Sequence, residues 1–371
     1  MDDLGPFCGL NPRGPDHGKR GHGNRTVTSR YGPGKVRRML RCRTGKARVS
    51  ERKGTPRFDA RLSAEKVTAV RAHVAEGIGT RKTARRIRAH PGTVARYTRR
   101  AGDHAAQRHD ELVPFSPEHR GAPVRRDVGA RRQEAEELCR RCPRQGDGGD
   151  HVALDPETRL VVSPVVGKRT ADAPHARVRD FRPRTGGRVM RRMTSDEYPV
   201  YAEPIRGAYG HVVAPPRAGR PGRPRNPHVA VPPAVTCATV HKEKENNRVV
   251  RASTRVVLGT AAAVALAVAA SAVGRVVNTS VVGRHNGTDR NRCRRKARKT
   301  YALSKDWDTH RAATVFRYFS YNFGWPVRAL RVKGERGRWQ KRTPAMAAGL
   351  ADHVWSMSEW VAYPAKHMPR K

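Results

Sequence analysis

Val256 to Gly274 reads VVLGTAAAVALAVAASAVG, the one stretch a hydropathy window flags, with Arg255 and Arg275 at its ends. Its nineteen residues are just enough to cross a bilayer. Yet they include two Leu and neither Ile nor Phe, and Ala, Val and Gly dominate. The run therefore predicts a packing helix inside a domain rather than a membrane span. The amino-terminal stretch MDDLGPFCGL has no basic region followed by an apolar run, so no signal peptide is expected.

Charge narrows the partners. Lys and Arg total 77 against 32 Asp and Glu, a net +45 spread along the chain rather than held in a tail. With 37% apolar residues, five Trp and nine Tyr, disorder over the whole length is not expected. A polyanion is the economical partner, because each phosphate neutralised by Arg or Lys releases condensed counterions. RNA is the weaker choice, since no aromatic stacking motif of the RNP kind is present. Cysteines at 8, 42, 139, 142, 237 and 293 make no disulfide framework, which fits a reducing cytosol.

Three segments differ in pattern. Residues 1–55 are rich in Gly, Arg and Pro and predict turns and short strands. In residues 56–105, Val67, Val70 and Val74 have helical spacing, and Gly77 and Gly79 break the run. TRKTARRIRAH and GTVARYTRR then predict two short basic helices around Pro91 and Gly92, the layout of a helix-turn-helix unit. In its last helix Thr93, Arg96, Arg99 and Arg100 are the candidate DNA contacts, with Val94 and Tyr97 packing inward. The remainder, 106–371, alternates. HVALDPETRLVVSPVVGK predicts a hairpin turning at Asp155-Pro156, ADAPHARVRDFRPRTGG a helix ending at Gly186-Gly187, RVMRRMTSDEYPVY a strand entering an acidic turn, and CATVHKEKENNRVVRASTRVV a second hairpin. A strand region followed by helices predicts an α/β domain.

Several groups invite chemistry. Asp196, at the end of the predicted strand, is placed where a carboxylate can hold a divalent metal against a phosphate oxygen, though a solvated turn acid is the plainer reading. VVGKRT lacks the glycine spacing and the Lys-Ser/Thr adjacency of a phosphate-binding loop, which excludes nucleotide binding. Arg220 and Arg223 in RPGRPR have the form of a minor-groove hook, and a basic solvated loop explains them equally well.

Taken in order, the start with few cysteines, GTRKTARRIRAHPGTVARYTRR, TSDEYPVY, NTSVVGRHN and RKTYALSKDWDTH resemble the insertion-sequence-one type of DDE transposase over nearly the whole chain. The resemblance implies a zinc ribbon (1–55) and a helix-turn-helix (56–105) for terminal-repeat recognition. An RNase-H-like α/β domain (106–371) would follow. In it two Asp and one Glu would hold Mg²⁺ (or Mn²⁺) ions, which activate water and then a 3′-hydroxyl. It implies DNA as partner, both terminal repeats and target, a bacterial cytoplasmic, nucleoid-associated setting, and room for a homo-oligomer. Arg284 and Asn286 would face DNA, and the basic run Arg292 to Lys299 would be a helix along the active site.

Carried over residue by residue, the resemblance also implies losses. Asp196 matches the second catalytic Asp. The third acid should open a Glu-Arg-His-Asn tetrad, and here Gly283 stands in its place. Cys8 and Cys42 would be remnant Zn²⁺ ligands, with Gly14 and Gly45 where partner cysteines belong. The first Asp should sit in a D-E-x-W strand, but the region reads PVRRDVGARRQEAEEL. Back-translated from the second base of each codon, that stretch permits D-E-x-W, with the Asp straddling the codons of Arg125 and Arg126. Residues 121–145 thus read as displaced from the ancestral frame, and Cys139-x-x-Cys142 as a product of the displacement. Asp150 and Asp155 belong to the following hairpin. Two expectations remain, an impaired transposase or a catalytically inactive basic protein competing for element ends. The acid set discriminates between them.

Overall fold

The structure, a computed structural model, describes residues 3–11, 13–113, 127–134, 148–168, 172–190, 192–195, 201–214, 226–246, 248–271, 273–274, 276–277, 279–297, 304, 306–334 and 337–366, with backbone alone at 127–134, 148–149, 168 and 244. They fall into two units, one built from Met1–Val113 with Arg292–Lys371 and the other from Pro114–Asn291.

The first unit opens with strands β1 (Arg25–Tyr31), β2 (Arg37–Cys42) and β3 (Arg48–Ser50), an antiparallel meander in that order. Three helices follow, α1 (Ala64–Ala75), α2 (Thr80–Ile87) and α3 (Pro91–Leu112). Ser63 caps α1 by accepting from the Lys66 N–H. The valine spacing seen in the sequence puts Val67, Val70 and Val74 in the core. Gly77, at φ +74°, ends the helix where a Cβ would lie 1.6 Å from the Arg292 carbonyl oxygen, so only glycine fits. Arg88 closes α2 in a left-handed conformation (φ 52°). His90 caps α3, its Nδ1 accepting from the Gly92 N–H at 3.1 Å, and Pro91 takes the first helical position, where no N–H is needed.

The second unit is mixed α/β. Its strands are β4 (Asp127–Glu134), β5 (Gly148–Leu154), β6 (Val161–Lys168), β7 (Arg192–Ser195), β10 (Cys237–Glu245) and β11 (Arg248–Leu258), in the order β11-β10-β7-β4-β5-β6. β4, β7 and β10 run parallel, and the other neighbours are antiparallel. The β5–β6 turn is the expected one. Asp155 is buried and accepts the N–H groups of Glu157 and Thr158. Helix α4 (Asp172–Arg184) ends before Gly186 and Gly187, both at positive φ, and lays Ala173, Val178 and Phe181 into the core. Each buried side chain of the Val or Phe kind contributes about 1.5–3 kcal/mol of apolar transfer. Helix α5 (Ala202–Tyr209), the small hairpin β8 (His211–Val213) and β9 (His228–Ala230), α6 (Ala261–Ala269) and α7 (Ser280–Arg292) complete this part.

The apolar run differs from its expectation. Val256 to Leu258 end β11, Gly259 turns at φ +84°, and only Ala261–Ala269 form a helix. Val264 and Ala267 are its buried residues, and Leu266 is 72% exposed. Among the described residues no helix is long and apolar enough to cross a membrane.

From Arg292 the chain contributes to the first unit again. The basic run is not the expected helix: Arg294–Lys296 make a short 3-10 turn, with Cys293 and Lys296 buried. Helix α8 (Trp307–Gly324) packs along α3, followed by the hairpin β12 (Val332–Lys333) and β13 (Trp339–Gln340), α9 (Pro344–Ala347) and α10 (Met357–Ala362). Contact with α8 is close because Gly102 lacks a Cβ, which would meet the Ala312 Cα at 2.4 Å. Phe316, Phe319, Phe323 and Trp360 form the aromatic core, with His104 edge-on to Trp360 at 4.9 Å. The expected third domain, 106–371, is therefore divided: its last part belongs with the amino-terminal helices.

Candidate nucleic-acid interface

Between Gly77 and Gly102 the chain has no Asp or Glu, and its cations are sorted by helix geometry. Thr83, Ala84 and Ile87 of α2 are buried, which leaves Arg81, Lys82, Arg85, Arg86 and Arg88 exposed. Arg81, Arg85 and Arg88 follow i, i+4, i+7 spacing, so they share one stripe. That stripe, with Ala84, Ala89, His90 and Pro91, lines an open groove of about 600 Å³ at the turn between α2 and α3. The first turn of α3 borders it with the positive end of a helix dipole, while Pro91 has no N–H and those of Gly92, Thr93 and Val94 are taken by the His90 side chain and carbonyl. The groove thus presents fixed positive charge, from the arginine stripe and the helix dipole.

The expected contacts on α3 separate into two groups. Val94 and Tyr97 are buried as expected, and the Tyr97 hydroxyl accepts from the backbone of Arg61 and Leu62. Thr93 is half-buried and Arg96 exposed, beside the groove-lining turn. Arg99 and Arg100 have internal work. Arg99 donates to Asp306 at 3.0 Å and to the Thr309 hydroxyl at 3.1 Å, tying α3 to the start of α8. Burial pushes the Asp306 carboxyl up, but hydrogen bonds from Thr309 and Arg99 outweigh it and hold the group below its ordinary range. Arg100 donates to the carbonyls of Phe58 and Asp59. The α2 arginines went unassigned in the sequence, although their i, i+4, i+7 spacing was the signal that could have found them.

In the second unit Arg284 is exposed on α7, whereas Asn286 is buried and so turned away from any surface contact. Gly283 lies in the first turn of α7, its N–H donating to Thr279 at 2.8 Å. Asp196, Arg125, Arg126, Arg220, Arg223, Cys139 and Cys142 lie outside the described residues. Ser195, the residue before Asp196, pairs with Ala130 of β4.

The residues of the first segment do not fit a structural zinc site, which takes four Cys or His ligands. Cys8 and Cys42 are buried, and among the described residues no three His, Cys, Asp or Glu converge on a common point. Cys42 Sγ instead accepts from the Gly45 N–H at 3.3 Å and lies 3.8 Å from Asp16. Burial pushes the Cys8 thiol up, which favours the protonated form over the thiolate a metal needs. Compared with known protein families and with curated proteins, the chain matches none.

Proposed function

We propose that this chain is a DNA-binding protein of DDE-transposase descent, which holds duplex DNA against the α2–α3 face of its first unit. One observation carries the reading: an acid-free stretch that folds into two helices and lines an open groove with Arg81, Arg85 and Arg88. Arg96, on the exposed side of the second helix, is the residue positioned to reach a base edge, and Thr93 adjoins it. The Arg81, Arg85 and Arg88 stripe is suited to phosphates, which fix register without reading sequence.

The mixed sheet supports an RNase-H-like reading of the second unit. Strands β4 and β7 are parallel neighbours, Asp196 follows β7 in the sequence, and α7 carries Gly283 at the third position. With Gly283 at that third position the Mg²⁺ set is short of a carboxylate, so we assign binding without effective strand transfer. The test is titration of a fluorescent duplex at several salt concentrations with wild type and Arg85→Ala/Arg88→Ala. Loss of two phosphate contacts should flatten the log–log salt slope by about 2 and weaken binding roughly ten- to thirty-fold near 0.15 M salt. An unchanged slope refutes the assigned face, and Mg²⁺-dependent nicking of a terminal-repeat duplex refutes the loss of catalysis.

A further inference from the structure

The hairpin of β10 and β11 is longer than the sheet needs. Only Cys237, Ala238 and Thr239 of β10 pair with β7, so beyond them the ribbon has two strands and no third. Every residue from Arg248 to Arg255 is exposed, on both faces. At about 3.3 Å per residue the free part projects roughly 20 Å. A bulge opposite Glu243 and Lys244 leaves Val250 without a cross-strand partner, and Val249 and Val250 stand 51% and 53% exposed near the tip. Arg248 and Arg251 flank these valines, in register with Glu245 and Glu243 of β10, and Arg255 continues the arginine row toward the sheet, opposite Thr239.

Charge on an edge strand is commonly explained as a guard against strand-to-strand association. That explains the arginines but not two adjacent valines at the tip. Conversely, a second copy docking along β11 would bring like arginine rows together, which is costly. One occupant uses both features. A DNA duplex offers phosphates to the arginines, and its minor groove admits apolar wedges between base steps when flanking cations hold the backbone.

We propose that the β10–β11 ribbon is a DNA-embracing arm, with Val249 and Val250 as the apolar wedge and Arg248, Arg251 and Arg255 on the phosphates beside the minor groove. This rests on the DNA-binding reading above, although it uses a different unit and different residues. Bound duplex should accordingly be bent.

The experiment uses the full chain and a forty-base-pair duplex carrying a donor and an acceptor dye at its ends. Wild type should raise energy transfer on binding. Val249→Ser/Val250→Ser should keep affinity within about threefold and lose the rise. Arg248→Ala/Arg251→Ala should flatten the salt slope by about 2. Wild-type bending and slope in both variants overturn the arm. So does a wild-type dimer in sedimentation that Val249→Ser/Val250→Ser dissociates, because the tip then serves a second copy. The Arg85→Ala/Arg88→Ala variant separates the two proposals: if it alone loses binding, the arm fails and the α2–α3 face stands. If only the arm variants lose slope and bend, the reverse holds.

Discussion

Replacing Arg71 by Met should make the first unit more stable. Arg71 lies on the inward face of α1 and is fully buried, and its guanidinium nitrogens have no hydrogen-bond partner among the described residues. The Trp360 ring, 5.6 Å from the guanidinium carbon, and Tyr97 favour its charge. Burial, then the like charge of Arg57, pulls the guanidinium down from its ordinary range to about 9. At about 1.36 kcal/mol per pKa unit the charge costs close to 5 kcal/mol at neutral pH. The cation–π contact returns about 1–2 kcal/mol, part of which a Met sulfur on the same ring would recover. The net gain for Arg71→Met is then about 3 kcal/mol, or roughly 6–12 °C in Tm for a unit of this size.

The sign with pH follows from the same group. A base held below its unfolded value costs stability at every pH below about 9, and that cost fades as pH rises from there toward the ordinary arginine range. The gap between variant and wild type should hold steady from pH 6 to 8 and narrow above 9. Tryptophan fluorescence is the right probe, since all five Trp residues lie in Arg292–Lys371 and report on this unit alone. A variant that melts at or below the wild-type temperature, with Arg71→Lys indistinguishable from it, would falsify the buried-charge argument.

Other substitutions test the packing and the surface. Gly102→Ala gains about 1 kcal/mol of helix propensity, but its Cβ meets Ala312 at 2.4–2.5 Å, and overpacking costs about 1–3 kcal/mol or more. Urea denaturation should show net destabilisation, and a raised midpoint would mean that α3 and α8 are not in close contact. His353 lies between Glu359 at 2.8 Å and Asp352 at 2.6 Å, and these hydrogen bonds raise its pKa above the ordinary value. The small stability it adds should be present below about pH 6.5 and fade as pH rises through the raised value. Proton NMR titration of His353 reads the raised value directly, and a midpoint at or below that of a free histidine removes the bridge. His353→Gln should lose the pH dependence.

Local elements were legible because local chemistry fixes them. The valine spacing of α1, the glycine at its end, the Asp155-Pro156 turn and the two glycines after α4 each act within a few residues. What the sequence hid was long-range. Nothing local tells that Gly102 meets Ala312, or that Arg99 serves Asp306 while Arg81 faces solvent, because one arginine among many has no distinguishing mark. The apolar run misled for a related reason. Gly259 divides it, and its valines supply a strand end before its alanines supply a helix. On β4, only Asp127 to Ala130 pair with β7 as well as lying beside β5, and Arg131 and Arg132 pair with β5 alone.

The split first unit has a consequence for how the protein is made. Helix α3 ends at Leu112, and α8, which packs along it, begins at Trp307. At about 5–20 residues per second, a ribosome reaches α8 roughly 10–40 s after releasing α3. During that interval the Ala101–Gly102 side of α3 has no α8 to cover it, and Arg99 has no Asp306. The α3–α8 contact therefore forms only after Trp307 and the residues that follow it have been made. Synthesis interrupted before Trp307 would leave this side of α3 uncovered.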